Sequence, residues 1–295
     1  MIKDLTPEEI LNLSFITDDE VLPISEIVKN KTTKNTDRFK SNFEVIDKAI
    51  DGGFKAGDLV IISGISGEGK TLYAQTLTYN FSNAGISCLW FSYEVSLEFL
   101  DRKFQAMGLQ DNYLAYAPKK NTTGKLDWLK YKIKESWIKY ATKIVFIDMI
   151  DFLSPVNIQS RDNETITLKK IAQELKTLAI ELDIVIITMA HITKLREGEE
   201  AGMQNIAWSS GIYQVADYVF MISREKIKQK KQFREVESGG EDLCTNNSFI
   251  KIVKNRETGQ LKKIKCQYVD GKLIQLTNQY ENDNKNTKRF DYFQN

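Results

Sequence analysis

The segment Gly64-Ile65-Ser66-Gly67-Glu68-Gly69-Lys70-Thr71 places two glycines around four residues, followed by a lysine and a threonine. This is the phosphate-loop pattern, and each residue type has a reason to be there. Glycines let successive backbone N–H groups curl around a phosphate without a Cβ in the way, so Gly64, Ser66, Gly67, Glu68 and Gly69 would form the cradle. The apolar run Leu59–Ile62 leads in as a strand, and Leu72 to Phe81 leads out as a helix, whose N-terminus adds partial positive charge. Lys70 would reach the β- and γ-phosphates, and the Thr71 hydroxyl would ligate a metal ion. The expected ligands are therefore ATP and Mg²⁺.

Such a loop needs a second carboxylate for the metal shell, at the end of a buried strand. Asp148 follows the apolar run Ile144–Ile147, where a charge is costly unless a cation or donors meet it; Asp151 is a rival for the role. Glu94 ends the strand-like run from Cys88 and is placed to orient and deprotonate a water molecule. His191, the one histidine of the chain, directly follows the run Ile184–Ala190. As a neutral imidazole it could hydrogen-bond the γ-phosphate and report its loss. Glu94, Asp148 and His191 would then end three adjacent strands, the edge at which open α/β sheets bind ligands.

Positioning these groups requires parallel strands buried on both faces. Leu59–Ile62, Cys88–Phe91, Ile144–Ile147, Ile184–Thr188 and Tyr218–Ile222 are short apolar runs rich in β-branched and aromatic residues. Two helices read clearly between them. In 164–182 the residues Leu168, Ile171, Leu175, Leu178 and Leu182 recur at helical spacing, and in 124–140 Leu126, Leu129, Ile133, Trp137 and Tyr140 do so. Alternating strand and helix predicts an α/β fold with a mainly parallel sheet flanked by helices. After Ile222 the pattern turns to short antiparallel strands, Phe249–Val253, Lys263–Tyr268 and Lys272–Leu276, with turns at Thr258-Gly259 and Asp270-Gly271. Three regions follow: an N-terminal arm and linker over 1–36, the α/β domain over 37–276, and a polar tail over 277–295. The thin apolar stripe of the arm reads as an extension or as a helix packing on a neighbouring subunit.

Charge is almost balanced, with 41 Lys and Arg against 40 Asp and Glu, so nucleic-acid binding would have to use a local patch. The three cysteines, Cys88, Cys244 and Cys266, have no paired spacing and read as reduced thiols, with neither a zinc site nor a disulfide frame. No apolar run approaches the roughly 18–20 residues that span a bilayer. The start lacks the order of a signal peptide, which makes a soluble, cytoplasmic protein the expectation.

Taken together the motifs resemble the RecA-like motor domain of hexameric replicative DNA helicases, the DnaB group with its phage helicase–primase relatives, over about residues 37–275. Phe43–Gly57 and Ala56-Gly57-Asp58-Leu59 are similar to that family's approach to the phosphate loop. Phe91-Ser92-Tyr93-Glu94-Val95-Ser96 resembles the segment carrying its catalytic glutamate. Asp148 falls where it has a magnesium-shell Asp, and Ala190-His191-Ile192-Thr193-Lys194 is similar to its phosphate sensor. Ser209 to Asp217 resembles its channel-facing loop and helix, and Lys254-Asn255-Arg256 its K-x-R pair, whose Arg enters the next subunit's site.

The resemblance implies a RecA-like fold and an ATP-dependent, ring-forming motor on single-stranded DNA, with a hexamer, a trans arginine finger, and a loader or primase as partner. Within it, Lys194, Arg196, Trp208, Ser210 and Gly211 would touch the strand, basic groups on phosphates and Trp208 stacked on a base. The basic run Arg224 to Arg234 reads as a solvated insertion or a DNA track. Two departures stand out: about 36 residues replace the family's primase-interacting N-terminal domain, and Ala207-Trp208 stands where bacterial members carry a charged pair. A RecA- or RadA-like filament-forming recombinase and a KaiC-like regulatory ATPase are the alternatives.

Overall fold

The computed structural model describes residues 23–26, 37–110, 112–123, 125–154, 161–191, 209–226 and 244–276. The chain divides into two units between Asp37 and Arg38. In the first, residues 24–26 make one helical turn. The second opens with an antiparallel ribbon, β1 (Arg38–Phe39) and β2 (Phe54–Lys55), on either side of helix α1 (Glu44–Ala49).

The main sheet is built from β3 (Leu59–Gly64), β4 (Cys88–Ser92), β5 (Ala115–Tyr116), β6 (Ile144–Asp148), β7 (Val185–His191), β8 (Tyr218–Lys226), β9 (Cys244–Asn255), β10 (Lys263–Val269) and β11 (Lys272–Gln275). Helix α2 (Lys70–Asn83) follows β3, α3 (Leu97–Ala106) follows β4, α4 (Leu126–Tyr140) precedes β6, α5 (Arg161–Leu182) precedes β7 and α6 (Ser209–Val215) precedes β8. Across the sheet the order is β11-β10-β9-β8-β3-β7-β6-β4-β5. The strands from β8 to β5 are parallel to their neighbours, and β9, β10 and β11 pair antiparallel. The fold is thus the expected α/β sheet with antiparallel C-terminal strands.

Period-2 alternation divides the apolar residues of each strand between two cores. Val60, Ile62, Trp90 and Phe146 face one side with Tyr73, Leu77 and Phe81 of α2 and Phe104 of α3. Leu59, Ile61, Phe91 and Ile147 face the other, against α4, α5 and α6. All five residues of the α5 stripe, Leu168 to Leu182, are buried there. The α4 stripe ends earlier than its spacing suggests: Leu129 and Ile133 are buried, but Trp137 and Tyr140 are exposed, and Ser136 takes the next buried position. Its hydroxyl lies 2.6 Å from that of Thr142, a polar plug that lets the chain turn into β6. Tyr140 instead stacks on Tyr116, ring centroids 4.0 Å apart.

From β3 the chain moves three places along the sheet to β4 and returns through β6 and β7 to β3's side. The loop after β3 is therefore left at an open crevice on the carboxyl edge, the ligand-binding edge of this architecture.

Candidate functional site

The phosphate loop is held open by backbone that excludes side chains. A Cβ on Gly64 would stand 2.6 Å from the Ile222 carbonyl oxygen, so only glycine lets β3 and β8 approach there. Gly67 and Gly69 adopt φ of 81° and 101°, the left-handed region that lets the loop reverse into α2. Glu68 is buried, and its carboxylate accepts a hydrogen bond from the Arg224 backbone N–H, which ties the loop to β8. Ser66 is exposed at the loop's tip.

Lys70 folds back under this loop, donating to the carbonyls of Gly64 at 3.1 Å and Ile65 at 3.2 Å. Burial pushes its ammonium down in pKa, opposed by the charges of Glu94 and Asp148. Its Nζ also lies 3.5 Å from His191 Nδ1, while His191 Nε2 lies 3.4 Å from Glu94 Oε1. One neutral tautomer satisfies both contacts, with Nδ1 accepting from Lys70 and Nε2–H donating to Glu94. The histidine thus joins the phosphate loop on β3 to the carboxylate just beyond β4.

Asp148 closes the group from β6. Its side chain is fully buried; Oδ2 accepts from the Thr71 hydroxyl at 3.1 Å, and Oδ1 has no hydrogen-bond partner among the described residues. Burial first, then the Glu94 charge, raises its pKa to about 6. A hydroxyl and a carboxylate with an orphaned buried oxygen form a hard-oxygen donor pair, which fits a small divalent cation such as Mg²⁺. Register explains the convergence: Ser92 pairs with Asp148 and Gly64 with His191, so the ends of β4, β6, β7 and β3 lie side by side.

Arg256 and Lys254 lie at the other edge of the sheet. Asn255 pairs with Tyr218, which belongs to the same row as Val60 near the start of β3. Val60 to Gly64 spans about 13 Å at roughly 3.3 Å per residue, so the pair stands well away from the phosphate loop of its own chain. Lys254 donates to the Tyr213 carbonyl at 2.5 Å and to that of Gln214 at 3.2 Å, and burial lowers its pKa to about 8. Arg256 donates to Asp217 and to the Gln214 carbonyl.

Of the strand-contact expectations, Lys194, Arg196 and Trp208 lie outside the described residues, as does the side chain of Ser210. Gly211 is buried in α6 against Lys169 of α5. The amino-edge residues Asp58, Lys176 and Asp217 form a charged cluster that motif reading did not assemble. For Asp217 a signal existed, since like Asp148 it borders a buried apolar strand. Lys176 sits unannounced beside the α5 stripe.

A family model described as the DnaB-like helicase C-terminal domain matches residues 114–277, more than half of the chain. The matched part starts after the phosphate loop and Glu94 and takes in Asp148, His191, Lys254 and Arg256. A DnaB-like replicative helicase of Enterobacteria phage T4 is 24% identical over 245 residues, covering 70% of this chain and 51% of that protein. A replicative DNA helicase DnaB of Rickettsia bellii is 26% identical over 267 residues, covering 76% of this chain and 53% of its own length. The chain spans about half the length of these relatives. In fold it is similar to a solved structure described as an ATPase domain, with a TM-score of 0.68 at 18% identity, covering 87% of this chain and all of that one. With more than half of its length matched by that model, the chain belongs to the DnaB-like helicase C-terminal domain family.

Proposed function

We propose that the chain is an ATP-dependent motor on single-stranded DNA, a DnaB-like replicative helicase that hydrolyses ATP to unwind duplex DNA. The observation that carries this reading is the convergence of Lys70, Thr71–Asp148 and the His191–Glu94 pair at the carboxyl edge of four adjacent strands. The loop N–H groups of residues 64–69 would bind the phosphates, and Lys70 would exchange its two carbonyl partners for them. Thr71 and Asp148 would hold Mg²⁺, which when bound neutralises charge on the β- and γ-phosphates. Glu94, about one-third exposed, would orient and deprotonate the attacking water. His191, in contact with both Lys70 and Glu94, would pass the phosphate state to the segment that follows it.

Arg256, with Lys254, would complete the site of a neighbouring subunit in a homo-oligomeric ring, a hexamer in this reading. Its position at the amino edge supports this, because a group so far from its own phosphate loop can act on phosphates only in another chain. Lys194, Arg196, Trp208 and Ser210 are assigned to the strand-contacting segment on the resemblance alone, whereas Gly211, packed against Lys169 of α5, is left to seat α6. A loader or primase is the further partner this reading implies. Among the described residues no helix is long and apolar enough to cross a membrane, and a cytoplasmic location belongs to the same reading.

The test is ATP turnover with and without single-stranded DNA, beside particle mass in ATP and Mg²⁺. Strong stimulation and a closed ring of about six subunits are expected, with turnover abolished by Lys70→Ala. Open-ended filaments would replace the helicase by a recombinase. Slow turnover indifferent to DNA would leave a regulatory ATPase.

A further inference from the structure

The amino edge of the sheet contains a cleft of about 300 Å³ between the α5 side and the start of β8, with Lys176, Asp217 and Arg256 among its walls. Asp217 is the only one of these three that is almost wholly inside, its side chain 11% exposed against 22% for Lys176 and 54% for Arg256. Its carboxylate is fixed by the fold. Oδ2 accepts from the Leu59 N–H at 2.8 Å and from Lys176 Nζ at 2.5 Å, and Lys176 is itself anchored to the Gly57 carbonyl at 2.7 Å. Backbone bonds lock the same residue: Asp217 N–H donates to the Leu59 carbonyl at 2.9 Å, and Arg256 N–H donates to the Asp217 carbonyl at 3.0 Å.

With Oδ2 saturated, Oδ1 is turned to Arg256, whose Nη1 lies 3.3 Å away. Nη2 donates at 2.9 Å to the Gln214 carbonyl in the last turn of α6. A long, half-exposed guanidinium is therefore aimed by one immobile carboxylate and one helix-end carbonyl. The Nη1 contact is the longest of the set and the Arg256 side chain stays half exposed, so Asp217 orients the group without burying it. An anion presented from outside can take the guanidinium over while Asp217 stays where Lys176 and Leu59 hold it.

We propose that Asp217 is a positioning residue for Arg256, holding the guanidinium at the amino edge in the orientation from which it enters the neighbouring subunit's phosphate site. This rests on the reading of Arg256 as a group acting in trans. In this role Asp217 acts through Arg256, and its effect is felt in the next chain's site, not in its own.

The test uses the full chain, wild type and variants, with ATP turnover as the measurement. Asp217→Asn keeps size and an acceptor for Leu59 but removes the charge; kcat should fall about tenfold with KM for ATP within about twofold. Asp217→Glu should recover most of the loss. Arg256→Ala should lower kcat by about 10³, and adding Asp217→Asn to it should cost nothing more. Mixed with Lys70→Ala subunits, which supply an intact Asp217 and Arg256, both single variants should regain turnover. A loss that adds to that of Arg256→Ala, or a mixture that recovers Arg256→Ala but not Asp217→Asn, would assign Asp217 to the stability of its own chain and overturn the inference. If the mixture recovers neither, the trans reading itself has failed and the inference falls with it. Should Asp217→Asn not fold, Lys176→Met carries the test: it leaves Asp217 in place but frees Oδ2, and must give a smaller defect that the same mixture repairs.

Discussion

Asp58 shows what a buried carboxylate costs when no cation among the described residues bonds to it. The side chain is 7% exposed and accepts from the Lys55 N–H at 2.6 Å, which closes the turn into β3. Burial raises its pKa from 3.8 to about 7, the Asp217 charge adding to the shift against that backbone bond and Lys176. The sign follows from proton counting. Between about pH 4 and 7 the folded chain keeps a proton here that the unfolded chain has lost, so this group's contribution to stability falls as pH rises and is gone above the folded value. Asparagine keeps the acceptor and never ionises. The stability advantage of Asp58→Asn over wild type should therefore grow by about 2–3 kcal/mol between pH 5 and pH 8, read by urea unfolding at both. An advantage equal at the two pH values would mean that Asp58 is not held protonated by the fold. Asp148 is raised in the same direction, but it accepts from the Thr71 hydroxyl just after the phosphate loop, where a cation can meet it.

At the scale of elements, α6 is held to α5 through one residue without a side chain. A Cβ on Gly211 would lie 2.7 Å from Lys169 Cβ and 3.2 Å from the Thr165 carbonyl oxygen. Two effects of opposite sign then meet in Gly211→Ala. Helix propensity favours alanine by up to about 1 kcal/mol, whereas overpacking costs about 1–3 kcal/mol. At 2.7 Å the clash should win, lowering stability by about 1–2 kcal/mol in urea unfolding; a stabilised variant would show that α6 is free to shift off α5. Such contacts explain what the sequence could and could not reveal. The phosphate loop was legible because eight consecutive residues carry it, and the core strands because apolar runs survive without tertiary context. The α5 stripe was legible for the same reason. Trp137 and Tyr140 misled because size and hydrophobicity do not say where a helix leaves its sheet; Ser136 and Thr142 decide that through one polar contact. Strand β9 extends beyond Phe249–Val253 because its ends pair through backbone bonds that polar residues such as Ser248 and Asn255 make as well as apolar ones. The cluster of Asp58, Lys176, Asp217 and Arg256 is drawn from four distant segments, and no local pattern announces a contact between them.

Over the whole molecule, the residues assigned to the proposed site lie at two edges of one sheet. The carboxyl edge holds Lys70, Asp148, Glu94 and His191, and the amino edge holds Lys254 and Arg256. Strand length sets the gap: about 13 Å along β3 separates the two rows, more than the reach of an arginine side chain already tethered to Asp217 and Gln214. A net charge of +1 gives no long-range repulsion between copies, so association is left to local contacts. If each phosphate site is completed by another chain's Arg256, turnover per chain cannot be constant on dilution. At high concentration it should be level, and it should then fall steeply through the range in which particle mass drops to that of one chain. A loss of about 10³ is expected for the lone chain, the effect of removing an arginine from a phosphoryl-transfer site. Arg256→Ala should already lie near that floor at every concentration. Single chains that turn over ATP as fast as assemblies would mean that the carboxyl edge alone suffices. Lys254 and Arg256 would then be caps on the end of α6 and nothing more.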